Sequence, residues 1–474
     1  MRVFKSLFIF TAILILLFSA VSHAEQLFDT YIGYQSGSYP YDVVAADLNG
    51  DDTLDLVSVN YAAHTLSVLI GNGDGTYATR VQYACTGTQF PFDVQVADMN
   101  DDGNLDLITA GNNGFDIFYG IGDGTFGAAI VTTIGFQIGD FVVADFNGDL
   151  RPDIASTHSI LDSVSVSLND GDSTYTTTRF DLMSGSISIV AAKFNADVFI
   201  DLAVSCSNGI IWYLENDQAG GFTPIVQIGG TAGNVYLGTA DLNGDGVFDL
   251  AEAHATTDTV KTWINNGTGT FVFANSYFVG GEFPQAVAFG DFDADTELDM
   301  VISSWADENI KFFTGSGSGV FTYDTTYSIG GRPRGLCPAD LDGDGYIDLA
   351  VAGQGTDMVA VLLNRSSLLL DVEDITDNDK LPRKYVLEQN YPNPFNPITT
   401  IKFALKTASQ AKVEVFNLLG QSVRVLVDDE LTAGTKQVVW DGLNDAGDPV
   451  TSGIYFYRIN ADKFVDTKKM VLLK

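Results

Sequence analysis

A ten-residue acidic segment occurs seven times in this chain, at nearly constant intervals. The copies read DLNGDDTLDL from Asp47, DMNDDGNLDL from Asp98, DFNGDLRPDI from Asp145, KFNADVFIDL from Lys193, DLNGDGVFDL from Asp241, DFDADTELDM from Asp291 and DLDGDGYIDL from Asp340. Their starts lie 51, 47, 48, 48, 50 and 49 residues apart. A period of this length means one supersecondary unit stacked many times, so the fold class follows from what a single unit can be.

The second period shows the internal order: FDVQVAD, the acidic loop, LDLITAG, a short loop, DIFYGIG, the turn DGTF, and a last extended run. Short stretches of alternating apolar and polar residues broken by Gly and Asp predict four strands per unit. Seven such units predict an all-β chain whose main body is a seven-bladed β-propeller, with a linear solenoid as the alternative. The seventh period stops after VAVLLN at Asn364, one strand short, while FDTYIGYQSGSY from Phe28 to Tyr39 resembles the segment that ends the other periods. The two chain ends are therefore expected to share the last blade, which leaves no open sheet edge.

The chain of 474 residues is too long for one ordinary core, and its 46% hydrophobic content with 18% charged residues describes a folded protein. Arg2 and Lys5 precede an apolar run from Leu7 to Ala20, followed by small residues at Ser22 and Ala24. This predicts a signal peptide over 1–24, the propeller over 25–367 and no membrane span in the mature chain. The net charge of -37 argues against nucleic acid and favours a cation as partner. Cys85, Cys206 and Cys337 are read as small core residues, too few for a disulfide framework.

The first, third, fifth and ninth positions of six loops carry Asp or Asn. The candidate ligands are Asp47, Asn49, Asp51 and Asp55; Asp98, Asn100, Asp102 and Asp106; Asp145, Asn147, Asp149 and Asp153; Asp241, Asn243, Asp245 and Asp249; Asp291, Asp293, Asp295 and Asp299; and Asp340, Asp342, Asp344 and Asp348. Six to eight hard oxygens at ~2.3–2.6 Å are what Ca²⁺ takes, and the seventh-position carbonyl adds one more. Metal-free Asx turns would explain one such loop, but six in one phase concentrate carboxylates that repel one another without cations. EF-hands are excluded by strand-like flanks and by the missing acid at the twelfth position, which only Glu252 supplies. In the fourth copy Lys193 stands where the first carboxylate belongs, so that loop is expected to hold no Ca²⁺ and to bond its ammonium to Asp197 or Asp201.

These loops and the GDGTF-type turns resemble FG-GAP or VCBS repeats, as in the propeller of integrin α subunits and many secreted bacterial proteins, over Phe28 to about Asn364. The resemblance implies up to six structural Ca²⁺ ions in the hairpins joining the first two strands of each blade. The loops from Asp98, Asp241 and Asp340 fit best, because Asp52, Leu150 and Thr296 replace the sixth-position Gly elsewhere.

The opposite face gathers Tyr61, His64, His158, His254, Trp305, Arg332 and Arg334 as ligand candidates, with Phe90, Tyr236 and Phe283 near them. Aromatic and amide groups around a shallow ring suit a glycan or an extracellular protein. The three histidines share one loop phase in three blades, which keeps a metal or acid–base role open.

After the acidic linker at 368–384 the composition changes to strands such as AKVEVFNL, QVVWDG and GIYFYRI, predicting a small β-sandwich of immunoglobulin-like type over 385–474. QNYPNPFNP, NLLGQ, WDG, SGIYFYR and the final KKMVLLK closely resemble the C-terminal sorting domain of type IX secretion cargo. That resemblance implies the type IX machinery as a partner and a secreted or outer-surface location on a Gram-negative bacterium. The expected function is a monomeric calcium-binding recognition or adhesion module. A calcium-dependent, lyase-like polysaccharide-degrading enzyme on the same scaffold is the alternative.

Overall fold

The computed structural model describes residues 27–364 and 385–472, apart from 134–136, 172, 183, 230–231, 281–282, 388, 391–392, 394, 396–398, 419, 441, 445–449 and 462–463. The expected signal peptide and linker lie outside the described residues. The chain divides into two units, Met1–Ser367 and Leu368–Lys474. All regular structure among the described residues is β, and no helix there is long and apolar enough to cross a membrane.

Among its described residues the first unit forms seven four-stranded antiparallel sheets, one per sequence period. Sheet 1 runs Pro40–Ala46, Asp55–Asn60, Thr65–Leu69 and Val81–Ala84 from its inner to its outer edge. The second strand begins at the ninth-position Asp and is buried along its whole length in all seven sheets. Its alternate side chains enter two different interfaces: Val57 and Val59 pack with Val94 and Leu107 of sheet 2, whereas Leu56 packs with Ala350 and Val361 of sheet 7. A strand covered on both faces gains from near-continuous apolar sequence, which is why the DLVSVN and DLITAG runs show little polar alternation. Outer strands such as Tyr175–Asp181 face solvent on much of their surface and carry Thr, Arg and Asp.

Every sheet packs on the next through its own apolar cluster, and the cycle closes between sheets 7 and 1. Pro40, Pro284 and Pro333 open inner strands, where the missing N–H faces no ladder partner. Sheet 7 consists of Pro333–Ala339, Asp348–Gly353 and Met358–Leu362, completed by Ile32–Gln35 from the other end of the chain. Ile32 pairs with Val361 and Gln35 with Met358, and Phe28 bridges to Asn364. Phe28 is buried edge-to-face against Phe292, Phe312 and Tyr327. The fold of this unit is a propeller.

The second unit has a three-stranded sheet, Val386–Leu387, Thr399–Leu405 and Gly434–Trp440, and a four-stranded sheet in the order Ser422–Leu431, Ser409–Phe416, Gly453–Ala461 and Phe464–Leu472. Both contribute to one core around Trp440, Tyr457 and Phe403. The sequence motifs meet inside it: Asn390 N–H donates to the Tyr457 hydroxyl (2.8 Å), and the Trp440 ring contacts both Phe395 and Tyr455.

If the N-terminal strand closes the ring, Phe28→Ala should destabilise the first unit by about 3–5 kcal/mol, the usual result of emptying a buried aromatic site. Denaturant unfolding of the two proteins checks this, and an unchanged midpoint would remove the strand from the stability of the unit.

Candidate functional site

Antiparallel order puts the acidic loops and the outer turns at one end of the sheets, and the central hairpin turns and inter-sheet connections at the other. At the loop end, the ninth-position Asp is fully buried and clamps backbone. Asp249 accepts N–H bonds from Leu242 (2.9 Å) within its loop and from Asn265 (2.7 Å) at the end of the third strand. The pattern repeats at Asp55, Asp106, Asp153, Asp299 and Asp348. Burial raises these carboxyls, to about 6 at Asp106, Asp153 and Asp249 and about 7 at Asp299 and Asp348, while the backbone donors act in the opposite direction.

The first-position Asp shapes the loop. Its second carboxylate oxygen accepts the sixth-position N–H in all six acidic loops, from Asp52, Gly103, Leu150, Gly246, Thr296 and Gly345. All six residues adopt positive φ, between 65° and 91°, so the three loops without Gly take the same backbone path. Thr296 does so at φ 82°, a strained state for a β-branched residue.

Two loops bring three carboxylates together. Oxygens of Asp291, Asp293 and Asp299 lie within 4.8 Å of one another, as do those of Asp340, Asp342 and Asp348. Asp291 Oδ1 is buried with no hydrogen-bond partner. A buried carboxylate oxygen is costly unless something satisfies it, so this donor set fits a hard cation. In the loops with Asn at the third position, the amide is turned toward the fifth-position carboxylate, as in Asn243 Nδ2 to Asp245 Oδ2 (3.0 Å).

The Lys193 loop differs from its expected form. Lys193 is exposed and makes no ion pair among the described residues. The hydroxyl of Tyr213 fills the loop instead, donating to Asp201 Oδ2 (3.0 Å) and accepting from Asn195 Nδ2 (3.2 Å). The register-equivalent residues are Val68, Ile117, Val166, Thr262, Phe312 and Val361, none with a hydroxyl of that reach. Val198, at the sixth position, has no left-handed turn because Lys193 offers no acceptor.

At the other end, the candidate residues separate into two groups. His158 and His254 are buried: His158 contacts Gln137 O and Ser165 Oγ (2.9 Å), and His254 Nε2 lies 3.3 Å from buried Glu252. Both are held within their own sheets by these contacts. His64 Nδ1 accepts the Phe90 N–H (3.0 Å) and so serves as a positioning group. The remaining candidates form aromatic groups on the face. Tyr61 stacks on Tyr41 (5.4 Å) and contacts Phe90 (5.1 Å), while Arg332 lies 4.5 Å from the Trp305 ring centre, next to Phe283. Tyr39, Phe90, Phe283 and Arg332 each precede the inner strand with positive φ, between 35° and 64°. The N–H groups of Tyr39, Phe90 and Phe283 are held by Asp357, His64 and Asp258, and the three aromatic side chains are exposed. This latch projects side chains from sheets 6, 7, 1 and 2, a contiguous half of the ring.

Inside that rim an axial cavity of about 690 Å³ is lined by inner-strand residues, among them Tyr236 and Arg334, and by Tyr61 from a hairpin turn. Arg334 sits 3.5 Å from the Tyr41 ring centre and donates to Gln285 Oε1 (2.6 Å). Sequence reading missed Asp42, Asp93 and Asp140, which also line the cavity. Each stands five residues before the first loop position, in three successive sheets, and the shared register is the only signal the sequence offered. Burial raises all three carboxyls, Asp42 to about 6, and at Asp93 the neighbouring Asp42 and Asp140 add to the rise.

Family models match FG-GAP-like repeats at residues 47–109, 98–156, 193–252 and 298–351, and a secretion system C-terminal sorting domain at residues 389–473. The chain carries FG-GAP-like repeats and a type IX sorting domain. Curated protein sequences give no match. Among solved structures, BBS1N, crystallised in complex with ARL6DN, resembles the chain with a TM-score of 0.53 at 11% identity, over 71% of this chain and 97% of that one. A lectin of Agrocybe aegerita that recognises non-reducing terminal N-acetylglucosamine gives 0.47 at 18% identity, over 69% and 86%. PorZ, a bacterial surface component of the type-IX secretion system of Porphyromonas gingivalis, gives 0.47 at 11%, over 92% and 60%. At 11% identity BBS1N speaks to the fold alone. The sorting domain marks the FG-GAP-like protein as secreted or cell-surface cargo of type IX secretion.

The row Asp42–Asp93–Asp140 gives a pH signature. Raised carboxyls bind more protons folded than unfolded between the ordinary value of about 4 and their folded values, so their burden on stability is present above that window and fades as pH falls through it. Asp93→Asn should therefore raise the melting temperature at neutral pH, with the gain shrinking toward pH ~4. A pH-independent difference between the two melting curves would contradict this.

Proposed function

We propose that the chain is a calcium-stabilised seven-bladed propeller that recognises a glycan or extracellular protein at the surface of a Gram-negative cell, carried there by an immunoglobulin-like sorting domain. Seven sheets packed in a closed cycle support the blade count, and two facing sheets around one core support the sandwich. The observation that carries the metal assignment is the unpartnered buried oxygen of Asp291, in a loop whose Asp293 and Asp299 oxygens lie close by. Asp291, Asp293 and Asp299, and likewise Asp340, Asp342 and Asp348, would hold the ion; the loops from Asp47, Asp98, Asp145 and Asp241 offer Asn in the third place. Calcium bound there supplies stability that grows with free metal, because the unfolded chain has no assembled site.

Recognition is assigned to the face bearing Tyr61, Trp305, Arg332 and Arg334 with Tyr39, Phe90 and Phe283. Exposed rings held by a strained backbone are preorganised, and that lowers the entropy lost on binding. Burial of His158 and His254 favours binding over histidine-based catalysis.

Calcium should raise the melting temperature and a chelator should lower it, with metal analysis finding several ions per chain; none after dialysis against millimolar calcium ends the metal reading. Lys193→Asp alone should leave the ion count unchanged, because Tyr213 still occupies the loop. Lys193→Asp with Tyr213→Phe should add one ion. For recognition, a glycan array should show binding that Trp305→Ala weakens by about tenfold or more, the scale of losing a stacked aromatic contact. Turnover of a bound polysaccharide would instead favour the enzyme reading.

A further inference from the structure

The axial cavity is more specialised than the rim around it. Its volume of about 690 Å³ lies in the range of small-ligand sites, and its position among seven inner strands admits a chain end but not a folded surface. Its wall has three kinds of chemistry. Tyr41 and Tyr61 present stacked rings, and Phe92 and Tyr236 add apolar faces. Gln95, Asn112, Gln137, Asn234 and Gln285 supply amides from four sheets, suited to hydroxyl groups. The third kind is the carboxyl row on sheets 1 to 3.

That row is built into the wall. Asp140 Oδ2 accepts bonds from Ser188 Oγ (2.7 Å) and Ile189 N–H (2.9 Å), and Oδ1 takes the Phe141 N–H (2.9 Å). Asp42 has room because sheet 7 places Gly335 at the equivalent position, where a Cβ would come within 2.1 Å of Asp42 Oδ1. No ion pair joins Asp42, Asp93 or Asp140 to a base among the described residues. The cation in the cavity wall, Arg334, is spent on the Tyr41 ring and Gln285. The wall thus offers rings and amides for a sugar, and a carboxyl row whose charge has no basic side chain to balance it.

Resting on the glycan-recognition reading, we propose that the axial cavity binds the terminal amino sugar of a glycan, its protonated amine set against Asp42, Asp93 and Asp140 and its ring against Tyr61. A protonated amine supplies several donors to a row that has mostly acceptors, and aromatic rings beside carboxylates favour a cation further. A lysine side chain would supply the charge but leave the surrounding amides without hydroxyl partners.

The test is calorimetric titration of the full mature chain, in saturating calcium so that the acidic loops are filled. Three probes are used: the β-1,4 glucosamine trimer, the same trimer N-acetylated, and an N-acetyl-lysine amide. The wild type should bind the free-amine trimer at least about tenfold more tightly than the acetylated one, the effect expected when a charge partner is removed in a desolvated site. Asp93→Asn, whose folding is checked by its melting curve, should bring the two trimers close to parity. Equal binding of the trimers by the wild type, or a preference that survives Asp93→Asn, overturns the inference and leaves glycan recognition standing. Preference for the lysine probe over both trimers overturns it in favour of a peptide ligand. Loss of the preference at higher calcium, with one more ion bound, assigns the row to a metal and overturns it too. Failure of every saccharide, here and on the array, removes both the inference and the glycan reading.

Discussion

A buried carboxylate between two backbone N–H groups, repeated through the ring, is the contact on which the propeller depends. The ninth-position Asp cannot be solvated where it lies, so its two oxygens are satisfied by donors that otherwise would have none: the N–H of the second loop residue and the N–H that ends the third strand. One side chain thereby fixes the loop to its own sheet. The connection then passes to the neighbouring sheet, because the residue ending the third strand is often Asn. Asn169, Asn216, Asn265 and Asn364 donate from Nδ2 to the second-position carbonyls of the preceding sheet, at Met99, Phe146, Phe194 and Phe292. Apolar clusters supply most of the driving force between sheets, and these polar staples set the register in which the clusters meet.

Much of this was legible in the sequence because a repeat multiplies weak signals. One strand of six residues is ambiguous; the same strand in seven copies at nearly constant intervals is not. The unfinished seventh period even pointed to Phe28–Tyr39 as its missing strand, and Ile32–Gln35 takes that place. What was not legible depends on partners far away in the chain. An Asp that clamps backbone and an Asp that only shapes its loop look identical in a loop pattern, so the ninth position read as a ligand and nothing more. Lys193 invited an internal ion pair, but the group that fills its loop is Tyr213 on the third strand, whose neighbours appear only once the hairpin is folded. His158 and His254 fall in a loop phase yet end the fully buried second strands. Asp42, Asp93 and Asp140 each look like an ordinary polar residue in an edge strand. Packing sheets 1, 2 and 3 against one another turns three such residues into neighbours.

The two ends of the propeller use acidic residues in opposite ways. At the loop end, carboxylates are tied to their own backbone at fixed spacing, and each loop is complete within one sheet. At the cavity end, sheets 1 to 3 contribute one carboxyl each and the cluster exists only between sheets. Repetition therefore explains the loops but not the cavity, where the equivalent positions diverge to Ser188, Tyr236, Ala286 and Gly335. Divergence at one register of an otherwise regular repeat is where a ring of near-identical units can acquire a single, asymmetric site.

The Lys193 loop shows that the two roles of the acidic segment are separable. It has lost the first carboxylate and with it the left-handed turn at the sixth position, yet Asp201 still accepts the Asn216 N–H (2.9 Å) and remains fully buried. Tyr213 takes over the second half of the clamp, and Asn216 still reaches across to Phe146. The sheet keeps its place in the ring without the first-position carboxylate. Clamp and staple are therefore the structural minimum for one unit, and any metal at the other six adds stability to a fold that the backbone contacts already define. A ring built this way can lose a first-position carboxylate without losing a sheet, because the residue that holds the sheet is not the residue that shapes the loop.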